Sequence, residues 1–238
     1  MGYFYYMNKL IPLFLTILTF ISCTAQIEGF LEADSSAAMS VSATIEPRMA
    51  LLLRTLGLTQ GQTGGQVIDG PSIALSMSRA PGIASIMLRN TAPAAVEGNV
   101  RISSVNDFLS VANGSGFITF DQSQSGGRCE ININRDTSPV IFQALSQEVS
   151  DYLNALMAPA ATGEEMSKLD YLELVAIFYN RTISDEIASS RIRVSMTFPG
   201  NVTSVRGGTF NGRRANFDIP LLDLLVLETP LTYEVRWD

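Results

Sequence analysis

Two cysteines, 23 carboxylates and no histidine are the side chains of this 238-residue chain that could do chemistry, and together they exclude more than they offer. Without histidine there is no histidine-based catalytic triad, no His-ligated zinc and no haem on an axial imidazole. Two thiols cannot form a four-cysteine metal site. Carboxylates can serve as general acids or as oxygen ligands for Ca²⁺, but here they are scattered, and no D-x-[DN]-x-[DN]-G loop gathers them. The paired acids Glu164-Glu165 and Asp185-Glu186 fall near expected helix starts, where a carboxylate complements the helix dipole. They read as structural, so the expectation is a non-enzymatic protein with no catalytic residue, no metal site and no cofactor. "GLTQGQTGGQ" follows a helical pattern, has no strand before it and lacks a Gly-Lys-Ser/Thr; it reads as a flexible loop rather than a phosphate cradle. Cys129 lies in "GRCEININRD", where Cys129, Ile131 and Ile133 alternate with polar neighbours. On a strand that spacing turns the thiol to the buried face, where cysteine behaves as a small hydrophobe.

Cys23 is different. It closes the run "LIPLFLTILTFIS", 13 residues from Leu10 to Ser22. A bilayer-spanning helix needs about 20 apolar residues, so the run has the length of the apolar region of a secretory signal. Lys9 supplies the preceding positive charge, and Met7 offers an alternative start to Met1. Phe20-Ile21-Ser22-Cys23 resembles a bacterial lipobox, with Phe20 where leucine is usual. The resemblance implies that residues 1–22 are a lipoprotein signal peptide and that Cys23 becomes the lipidated first residue of the mature chain. Cleavage after Ala25 is the other reading, since Cys23-Thr24-Ala25 presents small side chains. With Cys23 acylated, Cys129 has no disulfide partner.

Removing residues 1–22 takes away Lys9 and no acid, which leaves 15 basic against 23 acidic residues, a formal −8. A chain this acidic lacks the footprint of a nucleic-acid binder, and it has no polybasic patch for anionic lipid. The expected partner is the membrane itself, through the lipid anchor.

The rest of the chain supplies the scaffold. Residues 23–37, with little periodicity, read as a lipidated tether. Residues 38–238 read as one domain, long enough to bury about 70% of its unfolded surface. Met39, Val41, Ala43 and Ile45 alternate with polar residues, the mark of a half-buried strand. Pro47 opens a helix that Gly57 ends, and Asp69 can cap a second through "PSIALSMSR". "ASIMLRN", "VEGNVRI", "GFITF" and "RCEININ" read as strands, with "FLSVAN" as a short helix among them. A helix from Pro139 carries Ile141, Leu145, Val149, Tyr152, Leu153 and Leu156. Another is expected behind a Thr162–Glu165 capping box; its end, "LVAIFY", is apolar almost all round and so should be buried on more than one side. Ile192 to Phe198, Ala215 to Ile219 and Leu231 to Trp237 alternate again. Alternation on both sides of a helical hairpin predicts an α+β fold, an antiparallel sheet packed against that central hairpin.

In "VSMTFPGNVTSVRGGTFNGRRANFDIP", a strand ending in Phe198-Pro199-Gly200 is followed by Val202, Gly207-Gly208, Gly212 and Phe217, and the chain closes on "YEVRW". This segment, roughly residues 190–238, resembles the C-terminal part of the LppM-like bacterial lipoprotein domain. The residues also have a reading of their own as consecutive turns, since Pro199 withholds a donor and the glycines permit positive φ. The resemblance implies an envelope-anchored α+β domain with a role in binding lipid or glycolipid. Members of that family often carry a C-terminal membrane helix. Here the chain closes at Asp238, and anchoring is expected through Cys23.

The function expected is therefore that of a membrane-anchored cell-envelope lipoprotein, facing the periplasm or the cell surface, that binds a lipid or other hydrophobic ligand in a cleft near "LELVAIFY" and "IPLLDLLVL". The alternative is a structural lipoprotein that docks on an envelope protein complex through an exposed apolar patch.

Overall fold

The computed structural model describes residues 24–57, 65–113, 117–138 and 153–238. Cys23, the apolar leader, most of the Gly/Gln loop and the helix expected from Pro139 to Tyr152 lie outside the described residues. The fold is α+β and holds two sheets.

The larger sheet begins where a tether was expected. Thr24–Leu31 forms strand β1, paired antiparallel with β2 (Ala37–Thr44). Its inward positions are Ala25, Ile27, Gly29 and Leu31, while Gln26, Glu28 and Phe30 point outward. Two of the four inward residues are too small to announce a buried face, which is why the segment reads as irregular. Gly29 has no room for a side chain: a Cβ there would stand 2.5 Å from the Ala38 carbonyl oxygen.

Beyond β2 lie β4 (Ala95–Ile102) and the edge strand β3 (Ile83–Ala92). On the other side of β1 run β7 (Arg191–Thr197), β10 (Arg214–Pro220) and the short β9 (Thr209–Asn211), giving the order β3-β4-β2-β1-β7-β10-β9. β1 and β7 are parallel, and the other neighbours in this sheet are antiparallel.

The second sheet has the order β5-β6-β11-β8, from Ile118–Ser123, Gly126–Ile133, Leu231–Trp237 and Val202–Arg206. The glycine-rich C-terminal segment is where the chain changes sheets. After β7, Phe198-Pro199-Gly200 carries it from the large sheet into β8 of the small one, and Gly207-Gly208 returns it to β9. Gly207 has φ +76°, and a Cβ on Gly208 would stand 2.5 Å from the Asn216 carbonyl oxygen. The inner faces of the two sheets share a core with Leu31, Val100, Phe198, Ala215, Val235 and Trp237 at its centre. The large sheet thus packs on the small one; most of the first helix of the expected central hairpin lies outside the described residues.

The helices build a second core, at the end of the large sheet where β1 begins. α1 (Pro47–Thr55) follows β2 directly. Glu186 caps it in place of a local residue, accepting from the backbone N–H of Met49 at 2.9 Å and of Arg48 at 3.3 Å. α2 (Gly70–Met77) carries the expected cap, Asp69 accepting from the Ser72 N–H. α3 (Val105–Asn113) lies between β4 and β5. α4 (Pro159–Thr162) stops at Gly163, whose φ is +78°. The expected capping box of Thr162 and Glu165 is therefore absent. α5 (Lys168–Phe178) starts later, at Ser167, whose Oγ accepts from the Asp170 N–H. Asn180 then caps α6 (Arg181–Ser189), a helix the apolar pattern does not announce, and α7 (Leu221–Val226) follows β10. Tyr171, Val175, Ile187, Leu225 and Val226 are fully buried in this core, and Leu153 and Leu156 join it.

Among the described residues α5 is not buried on two sides. Leu169, Ile177 and Phe178 are 75%, 80% and 64% exposed.

Candidate functional site

The two sheets do not close fully on each other. β7 offers Val194 and Met196, β10 Phe217 and Ile219, and β2 Met39; from the small sheet Phe120, Cys129, Ile131, Tyr233 and Val235 point back. Between them lies a cavity of about 370 Å³. Its extent follows from the register. One end is walled by Ile102, Val105 and Phe108, near the end of β7, and the other by Ile219 and Leu224, near its start. Phe198 lies six positions beyond Ile192, the partner of Ile219, so at about 3.3 Å per residue the lining residues span about 20 Å along β7.

Three observations describe its chemistry. First, many side chains on the inner faces, among them Met39, Val194, Met196 and Ile131, are only half-buried although they point inward. Residues facing a void behave so; residues in a close-packed core do not. Second, desolvation, with Glu130 a lesser cause, pushes the Cys129 thiol up to about 11. A half-buried thiol so strongly desolvated faces apolar walls rather than bulk water, and it is a hydrophobe rather than a nucleophile. Third, the charges of the small sheet are turned away. Glu234 lies on the outer face at 6% exposure and accepts from Arg128 at 2.8 Å and Arg236 at 2.5 Å, while Arg128 also reaches Glu130 at 2.5 Å. Hydrogen bonds from Arg236 and then Arg128 hold its carboxyl below the usual carboxylate range. The outer ion-pair cluster fixes β6 against β11 and leaves the inner face wholly apolar.

Larger hollows, of about 960, 840 and 580 Å³, lie along the outer face of the seven-stranded sheet. Their walls mix apolar residues such as Met87 and Leu88 with polar and charged ones such as Glu28, Ser40, Arg89 and Asn99, and Arg89 is already paired with Glu97. They are the concavity of a twisted sheet. The inter-sheet cavity is the better candidate because its walls are apolar side chains from both sheets.

The sequence places some of this correctly. Cys129 does face inward. Of the two runs expected to frame a cleft, "LELVAIFY" belongs among the described residues to the helical core and its exposed face, and "IPLLDLLVL" gives Ile219 and Leu224 to the inter-sheet cavity. The paired acids Glu164-Glu165 and Asp185-Glu186 do not converge on one site. Glu165 pairs with Arg135 at 3.2 Å, Asp185 with Arg181 at 3.5 Å, and Glu186 caps α1. Among the described residues no three His, Cys, Asp or Glu side chains are grouped to hold a metal ion. No helix among them is long and apolar enough to cross a membrane.

No protein-family model matches the chain, and no curated protein matches it. Among solved structures it is similar to the NMR structure of the folded domain of the Mycobacterium tuberculosis LppM protein, at 10% identity and a TM-score of 0.40, over 91% of this chain and 90% of that one. A likeness of that size assigns neither family nor activity, and the reading of function rests on the geometry above.

Proposed function

We propose that this protein is a cell-envelope lipoprotein, held to a bacterial membrane through Cys23, whose two-sheet body takes the hydrocarbon chain of a lipid into the inter-sheet cavity. The observation that carries the reading is the cavity of about 370 Å³ with apolar walls from both sheets. Ligand pockets run from roughly 300 to 1,000 Å³, so the size fits. An apolar guest between the sheets would bury its hydrocarbon against these walls and gain about 0.8 kcal/mol per methylene removed from water.

Lipid extraction tests the reading. Protein purified from membranes in a detergent too bulky to enter the cavity should release near-stoichiometric, non-covalent lipid on solvent extraction, detected by mass spectrometry. Wild-type protein that releases none and takes up no fluorescent fatty-acyl probe refutes cavity binding. The anchor has its own assay: Cys23→Ser should abolish palmitate labelling and move the protein out of the membrane fraction. Unchanged distribution refutes the anchor.

A further inference from the structure

The geometry points to a hydroxyl-binding end of the inter-sheet cavity, where Gln122 and Trp237 hold the alcohol group of an uncharged long-chain lipid. This rests on the cavity reading and deepens it by assigning the class of head group; it does not depend on Cys23.

The small sheet presents its inner face in layers two residues apart, set by the register of β5, β6 and β11. Ile118, Ile131 and Tyr233 form one layer, and Phe120, Cys129 and Val235 the next; all six line the cavity. The layer after that is Gln122, Gly127 and Trp237. Two residues of strand advance about 6–7 Å, so this layer stands directly beyond the apolar wall. Phe198, a lining residue, stacks on Trp237 with ring centroids 4.7 Å apart, and Phe120 lies 6.2 Å from it.

In this layer the chemistry changes. Trp237 is 4% exposed, and its Nε1–H has no hydrogen-bond partner among the described residues. The Oε1 of Gln122 is likewise buried without one. The orientation of that amide is fixed, because its Nε2 donates to the carbonyls of Glu32 at 2.8 Å and Ala33 at 3.0 Å, and only the NH₂ end can serve two acceptors. These are the two residues after Leu31, which lines the cavity from the large sheet. Gly127 stands between Gln122 and Trp237 and puts no side chain there. A Cβ on it would stand 2.2 Å from Cζ2 of Trp237 and 2.6 Å from Cε2, the carbon that carries Nε1. The indole therefore lies over Gly127 and reaches toward β5, the strand of Gln122.

Buried indole N–H groups and amide oxygens are ordinarily paired, and each costs free energy when it is not. Here one is a donor only and the other an acceptor only. A hydroxyl serves both at once, accepting from Trp237 and donating to Gln122. An ionised carboxylate could accept from Trp237 but would meet Gln122 Oε1 acceptor to acceptor. Among the described residues no Lys or Arg lines the cavity to hold its charge.

The test uses the full-length protein, delipidated, and three probes that compete with a fluorescent acyl reporter: 1-dodecanol, tridecane, in which methyl replaces the hydroxyl, and dodecanoate. Dodecanol should bind about tenfold or more tightly than dodecanoate at neutral pH. Trp237→Phe and Gln122→Met each remove one partner of the hydroxyl, and each should weaken dodecanol about tenfold while leaving tridecane within about twofold. Equal affinity for dodecanol and dodecanoate overturns the hydroxyl site. So do variants that leave the ratio of dodecanol to tridecane affinity unchanged, the result expected if a buried water rather than the ligand serves the two atoms. In both cases binding of tridecane keeps the cavity reading standing. Protein that binds neither the reporter nor any of the three overturns that reading and this inference together. The wild-type comparison of dodecanol with dodecanoate needs no substitution, so it decides the matter even where a variant at 122 or 237 fails to fold.

Discussion

Val194→Phe decides by its sign whether the space between the sheets is real. Val194 sits on β7, between Ile27 of β1 and Phe217 of β10, and its side chain lines the cavity. The change adds four carbon atoms. At about 0.8 kcal/mol per buried methylene the ceiling is about 3 kcal/mol. Imperfect fit and lost rotamer freedom reduce this to about 1–2 kcal/mol, the usual return of a cavity-filling substitution. In a body of this size each kcal/mol moves Tm by about 2–4 °C, so delipidated Val194→Phe should melt about 3–6 °C above wild type in calorimetry. Ala215→Leu is the contrast. Ala215 also faces inward but is 0% exposed in the packed part of the same core. There the added carbons overpack, at a cost of about 1–3 kcal/mol, and Tm falls. If both variants lose stability alike, the inner faces are close-packed and the cavity argument fails. If Val194→Phe gains stability but keeps its full lipid content, the void is real and the ligand lies elsewhere.

Cys129, with its thiol at about 11, should carry only about one thiolate in a thousand at pH 8; maleimide labelling of folded protein should be far slower than of denatured protein and rise about tenfold per pH unit, as followed by mass spectrometry. Labelling at the denatured rate would place the thiol in bulk water. The lowered pKa of Glu234 means that the folded state favours its ionised form, so its contribution is present above the ordinary glutamate range and fades as pH falls through the lowered value. Glu234→Gln should therefore lower Tm at pH 7 and leave it nearly unchanged in strong acid; an equal loss at both ends of a pH series would remove the ion-pair explanation. In β4, a Cβ on Gly98 would stand 1.9 Å from the Met87 carbonyl oxygen, so Gly98→Ala should cost about 3 kcal/mol or more in a denaturant titration, and a loss below about 1 kcal/mol would show that β3 can yield.

Legibility in the sequence followed side-chain size. Strands whose inward residues are large, such as Val194, Met196 and Phe198 or Tyr233, Val235 and Trp237, are visible as alternation. β1 is not, because Ala25 and Gly29 dilute its signal. The start of α5 was misplaced because two Ser/Thr-x-x-acid patterns lie five residues apart, and the local signal does not tell them apart. Gly163, in the left-handed region, ends α4 and leaves Ser167 to open the next helix. The expectation that "LVAIFY", apolar almost all round, is covered on two sides fails among the described residues, where Ile177 and Phe178 stay exposed. The cavity had no signature of its own. An inward valine looks the same whether it touches the opposite sheet or stops short, and that difference is set by how two sheets joined through Pro199-Gly200 come to rest.

The two ends of the cavity are not equivalent. Ile219 and Leu224 close it on the side of α7, the helix whose first N–H is bonded to Ser190 beside Thr24. Ile102, Val105 and Phe108 close the other side, toward the turn that joins β1 to β2. The α7 end therefore lies on the side of the domain where β1 begins, and the other end lies at the β1–β2 turn. The parallel pairing of β1 with β7 makes the arrangement stiff. β1 is bonded along its length to the strand that carries Val194 and Met196, so the first described strand and the cavity wall form one rigid ladder.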